Sequence, residues 1–147
     1  MFRRCHLIIG SAFGLLLAGC GESGPQIAEV TGLVTLDNSP LAGALVSFEP
    51  TGPGRTSVGN TDESGRYRLQ FTPDRYGALP GEHNVRISTK QFVFDEERGE
   101  DVPQPERVPP VYNTESTLKA TVESSGSEVD FTLESGDFKS KEPNLQN

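Results

Sequence analysis

Two cysteine thiols, Cys5 and Cys20, are the most reactive side chains in the sequence. The thiolate is a strong nucleophile, so a cysteine at a processing site can be modified covalently. The residues before Cys20 have the composition of a secretion signal: residues 1–4 are basic, residues 7–18 read LIIGSAFGLLLA, and small residues precede the thiol. Because this apolar run is shorter than the roughly 20 residues that span a bilayer, it predicts a signal peptide over residues 1–19, cleaved before Cys20.

The four residues Leu17-Ala18-Gly19-Cys20 resemble the lipobox of bacterial lipoproteins at every position. The resemblance implies attachment of diacylglycerol to the Cys20 thiol, cleavage before it, and usually acylation of the new amine. Two acyl chains suffice for stable anchoring, since each buried CH₂ contributes roughly 0.8 kcal/mol. We expect membrane lipid to be a partner through Cys20, with the protein exported to the cell membrane or the outer membrane. Cys5 leaves with the signal, so no disulfide is expected.

A dense group of carboxylates lies in the stretch 90–112, and Ca²⁺ prefers oxygen ligands of this kind. Its members are Asp95, Glu96, Glu97, Glu100 and Asp101. A run of like charges is also typical of a solvated loop, and loops longer than about 12–15 residues are functional or mobile. We expect a solvated, extended loop here, and we keep these residues as a candidate ligand loop.

The only histidine that remains after cleavage is His83. A single histidine without a neighbouring cysteine does not form an ordinary zinc or copper site, and serine–histidine catalysis also needs an orienting acid. Alternation places His83 on the inward face of a strand, which predicts a packed side chain. We therefore expect no enzymatic activity, no cofactor and no metal.

The formal net charge is -8, and it becomes -10 when Arg3 and Arg4 leave with the signal. Such a surface repels phosphate backbones, so nucleic acid is not an expected partner. Recognition of glycans usually needs exposed aromatic platforms. The chain has no tryptophan, and only Tyr76 and Tyr112 are candidates for that role.

From residue 28 onward apolar and polar residues alternate, which predicts strands with one buried and one solvent-facing side. Phe48 and Tyr67 are expected in the core, with a partner for the Tyr67 hydroxyl. In the turn 62–65, Asp62 is expected to accept backbone hydrogen bonds and Gly65 to take a positive φ. Strands are predicted at 29–36, 44–50, 56–61, 65–72, 82–89, 117–123 and 128–134.

Three strings resemble the carboxypeptidase-regulatory-like domain: VTGLVTLDNSPLAGALVSFEP, NTDESGRYRLQF and LPGEHNVRIS. The segment VPPVYN and the closing hairpin are similar to small bacterial lipoproteins that carry this domain alone. The resemblance covers roughly residues 29–134 and implies an all-β fold, a seven-stranded antiparallel β-sandwich with transthyretin-like (prealbumin-like) Greek-key topology. Gly32 then marks a bulge or a close backbone approach. The sequence departs from the pattern at His83, where an aromatic residue is usual.

The sequence therefore predicts a signal peptide (1–19), a lipidated tether (20–28), a β-sandwich (29–134) and a polar tail (135–147). The expected function is a membrane-anchored lipoprotein, a non-catalytic structural or protein-interaction module of the cell envelope with an unknown envelope protein as partner. A ligand-binding module for calcium or glycan is the alternative. A hydroxyisourate-hydrolase-like enzyme is less expected, because those transthyretin-like enzymes rely on several histidines and a C-terminal Tyr-Arg-Gly-Ser, whereas this chain ends in Leu145-Gln146-Asn147.

Overall fold

A computed structural model describes residues 24–139 of the chain. The predicted signal peptide, the lipobox and Cys20 lie outside the described residues, as does most of the predicted tail. No helix in the described part is long and apolar enough to cross a membrane. One 3-10 helix spans Pro110–Tyr112. The strands are β1 (Val30–Leu36), β2 (Ser39–Pro40), β3 (Leu45–Pro50), β4 (Ser57–Asn60), β5 (Arg66–Arg68), β6 (Gln70–Thr72), β7 (Arg75–Tyr76), β8 (Gly81–Ser88), β9 (Phe92–Asp95), β10 (Glu100–Pro103), β11 (Lys119–Val122), β12 (Ser127–Glu128) and β13 (Phe131–Leu133).

Two sheets face each other across one core, so the prediction of an all-β sandwich is confirmed. The larger sheet has the order β11-β8-β3-β4-β6-β7, and the smaller sheet is built on β1, which pairs with β2, β5, β12 and β13. Phe48 of the larger sheet is fully buried, and its ring centroid lies 6.4 Å from that of Tyr67 and 6.2 Å from that of Phe131, both in the smaller sheet. These rings join the two layers.

The expectation of purely antiparallel pairing is wrong at β1. This strand pairs in parallel with β12 and β13, with Val30 opposite Ser127 and Val34 opposite Phe131. Its pairing with β2 and β5 is antiparallel. The physical reason is simple: a strand with one buried face shows the same alternation whichever way its neighbour runs, so the pattern carries no direction.

Each of the seven predicted strand ranges contains strand residues, but two of the ranges are divided. The range 65–72 is split at Leu69, because β5 pairs with β1 in the smaller sheet while β6 pairs with β4 in the larger one. The range 128–134 is split between β12 and β13. Four further strands, β2, β7, β9 and β10, lie outside the predicted strand ranges.

A close backbone approach at Gly32 coincides with the break between β12 and β13. A Cβ atom on Gly32 would lie 1.8 Å from the carbonyl oxygen of Val129, so only glycine fits without movement of the backbone. The same carbonyl accepts a 2.7 Å hydrogen bond from the Tyr67 hydroxyl, and Asp130 Oδ1 accepts a 2.8 Å bond from the Leu33 N–H. The expectations for Gly32 and for the Tyr67 hydroxyl are both confirmed.

The chain is fastened at opposite ends of the sandwich by its first and last described segments. At the N-terminal end of β1, Ala28 and Ala78 exchange two 2.9 Å backbone hydrogen bonds, and the Arg75 guanidinium donates to the Pro25 carbonyl at 2.9 Å. At the other end Asp37 accepts bonds from the backbone N–H and the hydroxyl of Ser135. Residues Pro25 and Ala28 of the predicted tether are therefore in contact with the sandwich.

Candidate functional site

The stretch 90–112 contains a β-hairpin, so the expectation of an extended loop is wrong for its first half. β9 and β10 pair antiparallel, with Phe92 opposite Pro103 and Asp95 opposite Glu100. Asp95 shapes the turn, because its Oδ1 accepts hydrogen bonds from the N–H groups of Glu97 at 2.9 Å and Arg98 at 3.1 Å. Gly99 follows with a φ of +68°, a conformation in which glycine is unstrained. We refer to residues 91–104 as the acidic hairpin.

The carboxylates predicted as a ligand loop lie on the acidic hairpin but do not converge. Residues directly opposite each other in an antiparallel pair share a face, so Asp95 and Glu100 lie on one face and Asp101 on the other, beside Phe94. Asp95 also faces the Arg98 guanidinium at 3.7 Å. Within residues 24–139 no group of three or more His, Cys, Asp or Glu side chains is arranged to hold a metal ion.

Three consecutive apolar side chains of β9 are exposed, a feature that the sequence reading missed. Phe92 is 72% exposed, Val93 43% and Phe94 60%. Phe92 and Phe94 share the outward face with Asp101 and Pro103, since these pairs are opposite each other in register. The sequence does contain a pattern that could have indicated this strand: the run Phe92-Val93-Phe94, in which apolar residues do not alternate with polar ones.

Glu106 fastens the base of the acidic hairpin to the sandwich. Its Oε1 accepts hydrogen bonds from the Thr89 N–H (2.9 Å), the Thr89 hydroxyl (2.9 Å) and the Val108 N–H (3.0 Å). Its Oε2 accepts one from the Ser88 hydroxyl at 2.5 Å. Partial burial acts to raise the pKa of Glu106, but these four bonds outweigh it and hold the pKa below its usual value. The sequence gives no hint of this, because Glu106 reads as one more acid among prolines.

The acidic hairpin lies at the end of the sandwich opposite to Ala28. β8 begins at Gly81, close to Ala78 and hence to Ala28, and runs the length of the sheet until Ser88 pairs with Leu45. Just beyond it, Gln91 donates from its side-chain amide to the Gly43 carbonyl at 3.0 Å. The Arg107 guanidinium donates to the neighbouring Ala42 carbonyl. Both carbonyls belong to the turn that follows β2.

His83 is a packed core residue, as predicted. It is 1% exposed, and its ring centroid lies 5.7 Å from that of Phe48. Because a carbonyl oxygen can only accept, Nε2 carries the proton and donates to the Leu79 carbonyl at 2.7 Å. Within the described residues, Nδ1 has no hydrogen-bond partner, and neither does the buried Ser57 hydroxyl. His83 is therefore committed to packing, and no acid among residues 24–139 orients its ring.

The turn 62–65 also behaves as expected. Asp62 Oδ1 accepts hydrogen bonds from the Ser64 hydroxyl and from the N–H groups of Ser64 and Arg66, and these bonds lower the pKa of Asp62. Gly65 has a φ of +78°. The carboxylate is thus used by the turn itself.

The two tyrosines considered as glycan platforms have different surroundings. Tyr76 is 50% exposed, and the Arg68 guanidinium lies 4.2 Å from its ring centroid. Tyr112 is half-buried, and its hydroxyl accepts a 3.3 Å bond from the Glu134 N–H. The Tyr76 ring is thus paired with Arg68, and the Tyr112 ring is partly buried.

No protein-family model and no curated protein matches the chain. Among solved structures, it is similar to part of a 9R-lipoxygenase from Cyanothece, with 14% identity and a TM-score of 0.37, over 76% of this chain and 17% of that one. It is also similar to part of the major pilin subunit of Bacillus cereus, with 20% identity and a TM-score of 0.35, over 73% of this chain and 28% of that one. The chain thus spans less than a third of either protein.

Proposed function

We propose that this chain is an exported lipoprotein, anchored through acyl groups on Cys20, whose β-sandwich is a non-catalytic protein-interaction module of the cell envelope. The observation that carries the proposal is the string Leu17-Ala18-Gly19-Cys20, placed after a basic start and an apolar run too short to span a bilayer. The location that follows is the cell membrane or the outer membrane.

The attachment of the chain at Pro25 and Ala28 supports an anchored domain. Four residues, 21–24, lie between Cys20 and Pro25, whose carbonyl accepts a hydrogen bond from Arg75, and four residues reach about 14 Å when fully extended. A lipid on Cys20 would hold the N-terminal end of the sandwich close to the bilayer. The sandwich would have little freedom to tumble away from it.

The use of the polar side chains supports a role without catalysis. His83 is buried and bonded to a backbone carbonyl, and Glu106 is used at the base of the acidic hairpin. Asp101 lies on the face of the hairpin opposite to Asp95 and Glu100. General acid–base chemistry needs groups that converge on one reacting atom. Binding through a shaped surface needs only a stable sandwich.

The proposal includes the finer topology that the sequence resemblance implies, a seven-stranded transthyretin-like arrangement. Its support is that the three resembling strings fall on β1–β3, on β4–β6 and on β8, which together form the centre of both sheets. The strands outside these three strings are then additions to the shared arrangement.

Metabolic labelling with an alkyne fatty acid, followed by intact mass of the membrane fraction, tests the anchor. The full chain is expressed in a bacterial host beside Cys20→Ser and Cys5→Ser variants. We expect a labelled product that begins at Cys20, loss of label in Cys20→Ser, and normal labelling in Cys5→Ser. An unlabelled mature protein that begins at another residue would contradict the proposal.

A further inference from the structure

Exposed apolar surface is concentrated on the acidic hairpin. Of the six large apolar side chains that are exposed within residues 24–139, three are consecutive in β9: Phe92, Val93 and Phe94. Phe92 and Phe94 lie on one face of the hairpin and Val93 on the other, so the two phenylalanine rings form the exposed apolar patch, and such patches mark sites of interaction. The rings of Phe48 and Phe131, by contrast, are buried in the core.

The hairpin is presented to solvent without strand neighbours of its own. β9 and β10 form a separate two-stranded sheet, and neither pairs with any other described strand. A lone two-stranded hairpin is marginally stable in water, so its outward face gains from a partner. Its base is nevertheless fixed, through Gln91 to the Gly43 carbonyl and through Glu106 to Thr89.

The charge of the hairpin selects the chemistry of that partner. Five carboxylates lie on it with a single cation, Arg98, which is held near Asp95. Asp101 shares the outward face with Phe92 and Phe94. Interfaces bury aromatic anchors at their centre and arrange complementary charge around them. The carboxylates disfavour anionic lipid headgroups and a second acidic hairpin, and they favour lysine and arginine.

The position of the hairpin points the same way. β8 starts near the end of the sandwich where Ala28 pairs with Ala78, and its eight residues span about 23 Å. The hairpin lies beyond the other end of β8. If Cys20 is lipidated, the phenylalanine face is held away from the bilayer that receives the lipid. A partner reaches it from the aqueous compartment.

From these observations we infer that the acidic hairpin is the docking surface of this module, and that its partner is a protein surface with an apolar groove for Phe92 and Phe94 rimmed by lysine and arginine. The inference rests on the proposed function for the existence of a protein partner. It adds the surface, the anchoring side chains and the chemistry of the partner.

The test measures binding of a defined probe to the full chain in zwitterionic nanodiscs, with empty discs as the blank. The probe is a ten-residue peptide of alternating leucine and lysine. Peptides of alternating serine and lysine, and of alternating leucine and glutamate, serve as controls. We expect binding of the leucine–lysine peptide, at least about tenfold weaker binding of both controls, and weakening as salt is raised.

Variants locate the contact. The double change Phe92→Ser and Phe94→Ser should weaken binding at least about tenfold, and the triple change Glu96→Gln, Glu97→Gln and Glu100→Gln about threefold or more. The matched control Tyr76→Ser with Val111→Ser removes exposed apolar groups elsewhere and should leave binding unchanged. Circular dichroism verifies that every variant keeps the sandwich.

Three outcomes overturn the inference. Undiminished binding to the phenylalanine double variant shows that the rings are not anchors. Sedimentation that reveals self-association lost in the same variant shows an interface between copies of this chain. A blue shift of Phe94→Trp fluorescence with phosphatidylglycerol vesicles shows a lipid contact. None of these results affects the labelling of Cys20, so failure of the docking surface is distinguishable from failure of the anchor.

Discussion

Replacement of Glu106 by glutamine should loosen the base of the acidic hairpin and lower the free energy of unfolding. The carboxylate accepts four hydrogen bonds, two of them from the N–H groups of the buried residues Thr89 and Val108. Glutamine keeps one carbonyl oxygen for these donors but loses the charge that strengthens the bonds. Alanine leaves both N–H groups without their acceptor.

The magnitude follows from the number of bonds and their exposure. A hydrogen bond to a charged group contributes about 1.5–3 kcal/mol, and an unsatisfied buried donor costs about 1–3 kcal/mol. Because Glu106 is only half-buried and water can replace part of the loss, we expect about 1–2 kcal/mol for Glu106→Gln and about 2–4 kcal/mol for Glu106→Ala. A loss of 1 kcal/mol in a domain of this size lowers the Tm by about 4–8 °C.

The pH dependence gives a sharper test. The pKa of Glu106 is lowered in the folded protein, so its stabilising contribution is fully present above the carboxyl pKa of the unfolded chain. That contribution is lost as pH falls through the lower pKa of the folded state. The difference between the wild type and Glu106→Gln should therefore be largest near neutral pH and shrink below about pH 4.5.

Urea denaturation at a series of pH values, followed by far-UV circular dichroism, measures this difference. The control is Glu115→Gln, which alters an exposed carboxylate in the same segment between β10 and β11 as Glu106. It should lower the free energy of unfolding by less than about 0.5 kcal/mol. If Glu106→Gln lowers the free energy of unfolding by the same amount from pH 7 to pH 3, the loss of stability does not come from the hydrogen-bonded carboxylate, and the reasoning is refuted.

Three further changes test the core and the junction of the sheets. Phe48→Ala should lower the free energy of unfolding, measured by urea denaturation, by about 3–5 kcal/mol, because the Phe48 ring is fully buried between the layers. The control Phe92→Ala removes an exposed ring and should lower it by less than about 1 kcal/mol. Equal losses in the two variants would contradict the assignment of Phe48 to the core. Gly32→Ala should cost about 3 kcal/mol or more, since its Cβ would meet the Val129 carbonyl. The control Gly52→Ala would meet no atom of the described residues within 4 Å and should leave the Tm nearly unchanged. Tyr67→Phe should cost about 1–2 kcal/mol by leaving the Val129 carbonyl unpaired. Burial, together with the charge of Asp130, raises the pKa of Tyr67 in the folded protein. The stability of the wild type should therefore fall as pH rises above about 10, the ordinary pKa of tyrosine. Thermal melts at alkaline pH should show that Tyr67→Phe lacks this fall.

The strand positions could be read from the sequence because one face of each main strand is buried. Phe48 and Tyr67 lie inward and are buried, as their alternation predicts. Pairing direction could not be read in this way. β1 shows the same alternation whether β13 runs with it or against it, and the switch of sheets at Leu69 leaves no mark on the period.

The candidate site was only partly predictable. The acidic residues drew attention to the segment, but their number suggested a solvated loop and hid the Phe92-Val93-Phe94 strand between them. The role of Glu106 depends on donors from Ser88 and Thr89 on one side and Val108 on the other. The Val108 donor is local, but Ser88 and Thr89 are distant from Glu106 in the sequence and are brought to it across the base of the hairpin, so no local pattern reports the complete set of bonds.

The parallel pairing of β1 with β13 has a consequence for the response of the protein to mechanical force. The chain enters β1 at Val30, and β13 leaves at Leu133 on the opposite end of the same sheet. Tension applied between a fixed N-terminal segment and the segment after β13 therefore runs along both strands in opposite directions. Their hydrogen bonds are loaded in shear and must break together, whereas an antiparallel end pair would open one bond at a time. The domain is thus built to resist extension along the line from its first strand to its last.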